Sequence, residues 1–285
     1  EAVLQPMFPK LIHARVSGFG SEGPYGGFPG YDAVVQTMTG MSSVTGSQAS
    51  GPVKMGSPVV DLASGLNTVI GILLALRERD RTGKGQFVEV ALYDVGLSLT
   101  HPHSANWLWG KKLPTLTGNA HPNVAPYDLF QTATRPIFLG VGNDGQFVKA
   151  MAVLGRPELA TDARFANMAG RNTNRAELTA ILSPIFAAAD GVSLAQSLLE
   201  AGVPAGPLNT VAEAFDEPQT MVREMRIETE GYKGVGSPIK LSQTPPSLRR
   251  LPPDFGADTD AVLGEAGFSA EEIAAFRKSG GVPAK

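Results

Sequence analysis

No cysteine occurs among the 285 residues. That excludes disulfides, zinc–thiolate and iron–sulfur sites and a thiol nucleophile, and it leaves the redox compartment open. Histidine is scarce too, with four in the chain. His101 and His103 flank a proline and His121 stands in a loop-like stretch. Metal sites need convergent ligands with oriented outer partners, so these read as loop or interface histidines and no metal site is expected. Neither sign of charge is in large excess. A net charge of −3 gives no electrostatic footprint for nucleic acid or an anionic membrane surface. Long apolar runs are missing: around Leu62–Leu76 the longest is Ile72–Leu76, short of the roughly 20 residues of a membrane span. No Gly-x-Ser-x-Gly elbow is present, so a serine hydrolase has no anchor. No signal peptide is visible, and the chain opens on Glu1 rather than Met; the expectation is a cytoplasmic protein with further residues upstream.

What is present is ordinary globular composition, 42% apolar and 18% charged. The 33 glycines and 22 prolines fall below the level of a disordered chain. Leu11–Ser17 reads as a buried strand running into a glycine-rich loop, Gly18 to Gly30. A short helix is expected over Tyr31–Met41, loop over Thr45–Pro58, and a helix over about Leu62–Arg79 that stops at Arg81-Thr82-Gly83-Lys84-Gly85. A strand over Gln86–Leu92 and a helix over Tyr93–Leu108 follow. Gly110–Pro126, with three prolines and two glycines, reads as a linker. Beyond it come a strand at Ile137–Val141 and helices at Asp144–Leu154, Arg175–Ala189 and Leu194–Ala201. Gly231–Asp254 is proline-rich and reads as a long extended crossing, with two short helices after it, Thr259–Glu265 and Ala270–Lys278. Two long connectors around a middle unit suggest a discontinuous first domain, and long structureless segments are usually functional or interface-forming.

Gly18-Phe19-Gly20-Ser21-Glu22-Gly23 matches the dinucleotide-binding pattern after a strand. The pattern works only if a helix N-terminus follows to hold the pyrophosphate. Pro24-Tyr25-Gly26-Gly27-Phe28-Pro29-Gly30 cannot propagate a helix, which argues against a nicotinamide or flavin site. The more informative stretch is Gly56-Ser57-Pro58-Val59-Val60-Asp61-Leu62-Ala63-Ser64-Gly65. Asp61 is the one acid between Asp32 and Glu78, standing where an apolar helix begins. As an N-cap it would accept from the N–H of Ala63 or Ser64. The positive end of the helix would also favour its ionised form, and an ionised carboxylate is a competent acyl nucleophile. Both roles stay open on these residues.

Taken in order, several segments resemble the class III CoA-transferase family (the CaiB/BaiF type). They are Val16-Ser17-Gly18-Phe19-Gly20, Gly23-Pro24-Tyr25, Pro29-Gly30-Tyr31-Asp32-Ala33-Val34-Val35-Gln36, Gly40-Met41, Pro58 to Gly65, and Arg81 to Gln86. Ala125-Pro126-Tyr127, Val141-Gly142-Asn143-Asp144 and Gly202-Val203-Pro204-Ala205-Gly206-Pro207-Leu208-Asn209-Thr210 continue the set. Each motif alone is weak; the ordered set is specific and spans nearly the whole chain.

The resemblance implies transfer of CoA from an acyl-CoA thioester to a free carboxylic acid, with Asp61 as the nucleophile and no tightly bound cofactor. Coenzyme A enters as the thioester substrate. Glycine-rich loops holding Gly18 and Gly20 would supply oxyanion donors, and Tyr31 would line the thiol end of CoA. Ser57, Gly118 and His121 are further candidates for the substrate and CoA pocket. The family also holds acyl-CoA racemases, in which a histidine stands thirty residues before the aspartate. Tyr31 occupies that place here, and tyrosine, with a reference pKa of about 10, is a poor base near neutrality. A racemase-like enzyme and a non-catalytic acyl-CoA-binding or dimerisation fragment are the alternatives. The implied fold is α/β: a Rossmann-like large domain over 1–109 without its N-terminal part, a linker at 110–126, a smaller α+β domain over 127–228, a returning linker at 229–254, and C-terminal helices of the large domain at 255–285. Subunits of this family form interlocked-ring homodimers.

Overall fold

A short helix, α1 (Leu4–Met7), leads into β1 (His13–Ser17). The partner of β1 lies far along the chain. Between them run α2 (Asp32–Met38), α3 (Met41–Val44), the minimal hairpin of β2 (Gly46–Ser47) and β3 (Gly51–Pro52), and the long helix α4 (Val59–Thr82); then β4 (Phe87–Ala91) returns parallel to β1. Such a crossover is what parallel pairing demands. Ala14 stands opposite Val88 and Val16 opposite Val90. This computed structural model describes residues 3–282.

β1 begins two residues later than Leu11 and, against expectation, none of its residues is buried; Arg15 and Val16 are exposed. Among the described residues β1 pairs with β4 alone, and it lacks the double-sided cover that a continuous apolar run normally reports. α4 packs on this pair so closely that a Cβ on Gly71 would come within 2.6 Å of Val88 Cγ1. It ends as the sequence indicates, with Arg79 and Arg81 in its last turn and Gly83 at φ 73° donating its N–H to Arg79 O. The nearby core is small: Val35, Met41 and Val60 with two further apolar residues, Leu92 and Val95. On α4 itself Leu62, Leu66, Leu73 and Leu74 are all largely exposed. Its most apolar stretch has a mean hydropathy of 1.9, so by length and composition α4 could cross a membrane. Gly65, Asn67, Thr68 and Gly71 keep the continuous apolar run short without lowering that mean far. A helix laid on a sheet in a layered α/β fold has the same composition.

The single helix expected over Tyr93–Leu108 is two, α5 (Leu92–Ser98) and α6 (His103–Gly110). Pro102, which has no N–H to continue a helix, stands at the break. Residues 111–126 hold no helix or strand. An antiparallel sheet follows in the order β5 (Tyr127–Phe130), β6 (Ile137–Gly140) and, after four helices, β7 (Ala205–Pro207). The helices are α7 (Asp144–Val153), α8 (Met168–Thr173), α9 (Arg175–Ala188) and α10 (Gly191–Glu200), with a 3-10 turn at Pro157–Ala160. Asn143, Asn167 and Asp190 cap α7, α8 and α10 by accepting a backbone N–H three residues on. Here the apolar core is deep: Ile137, Leu139, Phe147, Phe165, Leu182 and Phe186 are all fully buried.

The chain divides into two compact units, Glu1–Leu208 and Asn209–Lys285. The second has α11 (Val211–Asp216), α12 (Pro218–Val222), an antiparallel hairpin of β8 (Arg226–Thr229) and β9 (Tyr232–Val235), then α13 (Thr259–Glu265) and α14 (Ala270–Lys278). The hairpin corrects the reading of Gly231–Asp254 as wholly extended: Gly231 at φ 77° makes the turn, and the irregular stretch begins after Val235. Neither strand has a buried residue, so no apolar period announced the hairpin.

Candidate active site

The loop after β1 closes on itself. Gly18 and Gly30 cross so tightly that a Cβ on Gly18 would meet Gly30 N at 2.6 Å and Cα at 2.7 Å. Within the loop, Gly20 N–H donates to Ser17 Oγ, Gly26 N–H to Gly23 O and Gly27 N–H to Gly20 O. Tyr93 N–H donates to Gly18 O and ties the crossing to α5. As the sequence indicates, residues 24–30, directly after the Gly-x-Gly-x-x-Gly pattern, hold no helix, and these N–H groups serve the loop itself. Gly20, at φ 80°, lies beside Glu89, whose carboxyl is held below its usual range by the hydrogen-bonded Arg15 guanidinium opposite it in β1.

The crossing at Gly30 delivers the next two residues. Tyr31 is the N-cap of α2 and is 79% exposed. Asp32, one residue on, turns inward and is buried. Its Oδ1 accepts from Gln36 Nε2 at 2.5 Å, and its Oδ2 accepts from the N–H of Val60 at 2.8 Å and of Asp61 at 3.2 Å. Gln36 in turn accepts the N–H of Met55 through Oε1 at 2.8 Å. α2 thereby holds both the approach to α4 and its first turn.

Asp61 is not the N-cap. α4 starts at Val59, with Pro58 in the cap position and no side-chain cap bond from it. That places Asp61 in the first turn, where its backbone N–H is already taken by Asp32. Its side chain is exposed, and no hydrogen bond to its carboxylate is present among the described residues. The capping alternative is overturned: Asp61 lies inside α4, two residues past its first, and the helix-end N–H groups of Val60 and Asp61 are bonded by Asp32. Ser57, exposed, accepts the Val59 N–H through its backbone oxygen.

Gly18, Tyr31, Ser57 and Asp61 are thus joined through short backbone links, and Gly20 lies in the same loop as Gly18. Gly118 and His121 have other neighbours. Gly118, at φ 65°, donates its N–H to Gly46 O at 2.9 Å on the β2–β3 hairpin. His121 Nδ1 accepts the Asn123 N–H, and its ring lies 5.2 Å from that of Tyr127. Burial pushes His121 and His103 below the ordinary histidine range, with Arg175 acting on the first and His121 on the second. The Nδ1 of His103 is buried without a partner. Asp32 and Gln36 carried no role in the sequence reading. Their four-residue spacing on a helix was the available signal, yet it does not reveal a target 28 residues away.

A family model described as CoA-transferase family III matches residues 1–259. The chain belongs to CoA-transferase family III. Curated relatives agree. The succinate–glutarate CoA-transferase of Agrobacterium fabrum is 37% identical over 267 residues, covering 92% of this chain and 67% of that one. The acetyl-CoA:oxalate CoA-transferase of Acetobacter aceti is 39% identical over 235 residues, covering 82% and 60%. Among solved structures, a CaiB/BaiF family protein from Brucella suis superposes with a TM-score of 0.79 at 39% identity, covering 93% of this chain and 70% of that one. Rv3272 from Mycobacterium tuberculosis gives 0.78 at 29% identity, covering 90% and 70%. This family III chain spans between 60% and 67% of the length of the curated relatives it matches first.

Proposed function

We propose that this chain carries the reacting carboxylate of a CoA-transferase, and that Asp61 is the nucleophile. One observation carries the reading: Asp61 stands in the first turn of α4 with its backbone held and its carboxylate exposed and unengaged. In the proposed sequence, an Asp61 oxygen attacks the thioester carbonyl, forming a mixed anhydride and expelling CoA thiolate. The thiolate attacks the aspartyl carbonyl, freeing the donor acid and leaving an aspartyl-CoA thioester. The acceptor carboxylate attacks that thioester, and the thiolate released then takes the acceptor acyl group, restoring Asp61. Each step splits a hard transfer into easier ones. Tyr31, one residue before the clamp on Asp61, would line the thiol end of CoA, and a tyrosine there favours transfer over proton abstraction.

Relatives named for succinate, glutarate, oxalate and mesaconate support a dicarboxylic acceptor. The same reading assigns a homodimer and a Rossmann-like large domain. The exposed apolar side chains of α4, and Leu113, Ile239 and Leu241 in the irregular segments, supply apolar surface for association. Incubation with succinyl-CoA and related donors, followed by intact-mass measurement, tests the chemistry. An adduct of CoA mass, or an acyl group trapped by hydroxylamine at Asp61 and absent in Asp61→Asn, is the expected result. Solvent exchange of the substrate α-proton without any adduct would replace this reading with the racemase-like one.

A further inference from the structure

A helix leaves its first backbone N–H groups without intrahelical partners, and in α4 they can be accounted for one by one. Pro58, in the cap position, has no N–H. Val59 donates to Ser57 O at 2.8 Å. Val60 and Asp61 both donate to the single oxygen Oδ2 of Asp32. Nothing remains at this helix end for another anion to take. An aspartate in the first turn commonly folds back on such donors, and a carboxylate oxygen occupied in that way is a poorer nucleophile. Asp32 is itself fixed from both sides, buried, with Gln36 on its other oxygen and Gln36 anchored by Met55.

We propose that Asp32, locked by Gln36, is the positioning residue for the attack by Asp61: it occupies the helix donors, fixes the Asp61 backbone, and leaves both Asp61 oxygens free to react. The inference rests on the reading of Asp61 as nucleophile and names what makes it one. The negative charge that the positive helix end attracts is supplied by Asp32, so the helix end does not draw the Asp61 side chain onto itself.

Asp32→Asn keeps the shape and one acceptor oxygen, but its new NH2 must face either the α4 donors or the Gln36 amide. Rapid-quench measurement of aspartyl-adduct formation in the full chain separates rate from amplitude. The rate constant is expected to fall by about 100-fold, the scale of a misplaced reacting group, with the KM for acyl-CoA held within about two-fold. Hydrogen exchange at the Val60 and Asp61 amides is expected to accelerate. Gln36→Met, which leaves the Asp32 cap but unlocks it, serves as the milder variant, with a rate loss of about 10-fold. A purely structural role would lower the adduct amplitude and leave the rate constant unchanged; that result, or unaltered exchange at both amides, overturns the proposal. An absent adduct in the unmodified chain overturns the transferase reading and this one with it. A wild-type adduct formed at the same rate by Asp32→Asn overturns this one alone.

Discussion

Replacing Arg171 with methionine tests whether a buried cation holds the connector end of the first unit to its core. The side chain is fully buried. Its Nε donates to Ala125 O at 3.0 Å, Nη1 to Phe165 O at 2.9 Å, and Nη2 to Asp144 Oδ1 at 2.6 Å, while the guanidinium stacks over Phe147 at 4.5 Å. Ala125 is the last residue but one of the irregular segment before β5, so this bond fixes where that segment enters the sheet. Breaking a buried ion pair is usually costly because the remaining charge is stranded. Here the remaining charge is not stranded: the Asp144 side chain is 57% exposed and returns to water. The cost of Arg171→Met therefore comes from two carbonyls left without donors, at about 1–3 kcal/mol each, offset in part by the desolvation no longer needed. A net loss of about 2–4 kcal/mol follows, or roughly 4–16 °C in the midpoint of thermal unfolding for a unit of this size. Asp144→Asn keeps an oxygen for Nη2 but strands the fully buried Arg171 charge, and should cost about 3–5 kcal/mol. Differential scanning fluorimetry or urea titration of both variants decides the matter. A loss below about 1 kcal/mol in Arg171→Met would show that the carbonyl bonds do not hold the segment, and would refute the reasoning.

Gly18→Ala would drive a methyl into the Gly30 backbone at 2.6–2.7 Å. We expect a loss of about 1–3 kcal/mol together with slower adduct formation, since Tyr31 and Asp32 follow directly; Gly56→Ala, with nothing within 4 Å of the added methyl, should stay within about 0.5 kcal/mol of the parent on the same urea titration. His103 and His121 are both held below the usual histidine range by burial, so the fold favours their neutral forms. In the unfolded chain they take up protons near pH ~6.5, so their stabilisation is complete above that value and is lost as pH falls below it and through their lower folded-state range. The urea midpoint should drop between about pH 7.5 and about pH 5.5, and His103→Gln should flatten part of that slope; a midpoint independent of pH over this window would remove the assignment.

What the sequence made legible follows the range over which each interaction acts. α13 and α14 appear at the residues expected, because their signals are local: Ser269 and Glu272 form a reciprocal capping box at the start of α14, and Arg277 and Lys278 close its last turn. The C-terminus of α4 was legible for the same reason, since Gly83 alone supplies the left-handed stop. The start of α4 was not. Local rules looked for a capping side chain at the first polar residue of an apolar helix and found Asp61, which misplaced the start and misread the carboxylate. The cap is Asp32, and nothing in the sequence near Val59 records it. A carboxylate on one helix satisfying donors on another is a tertiary fact, set by where α2 packs, and α2 is placed by the Gly18–Gly30 crossing. The same logic explains why Gly118 and His121, grouped with Asp61 by resemblance, have their hydrogen bonds elsewhere in this chain. Motif order carries the family, whereas the partner of each side chain is decided by packing. An acidic residue isolated in sequence is therefore read from the donors around it: the helix-end N–H groups of Val60 and Asp61 are claimed by Asp32, so the Asp61 side chain does not hold the helix end.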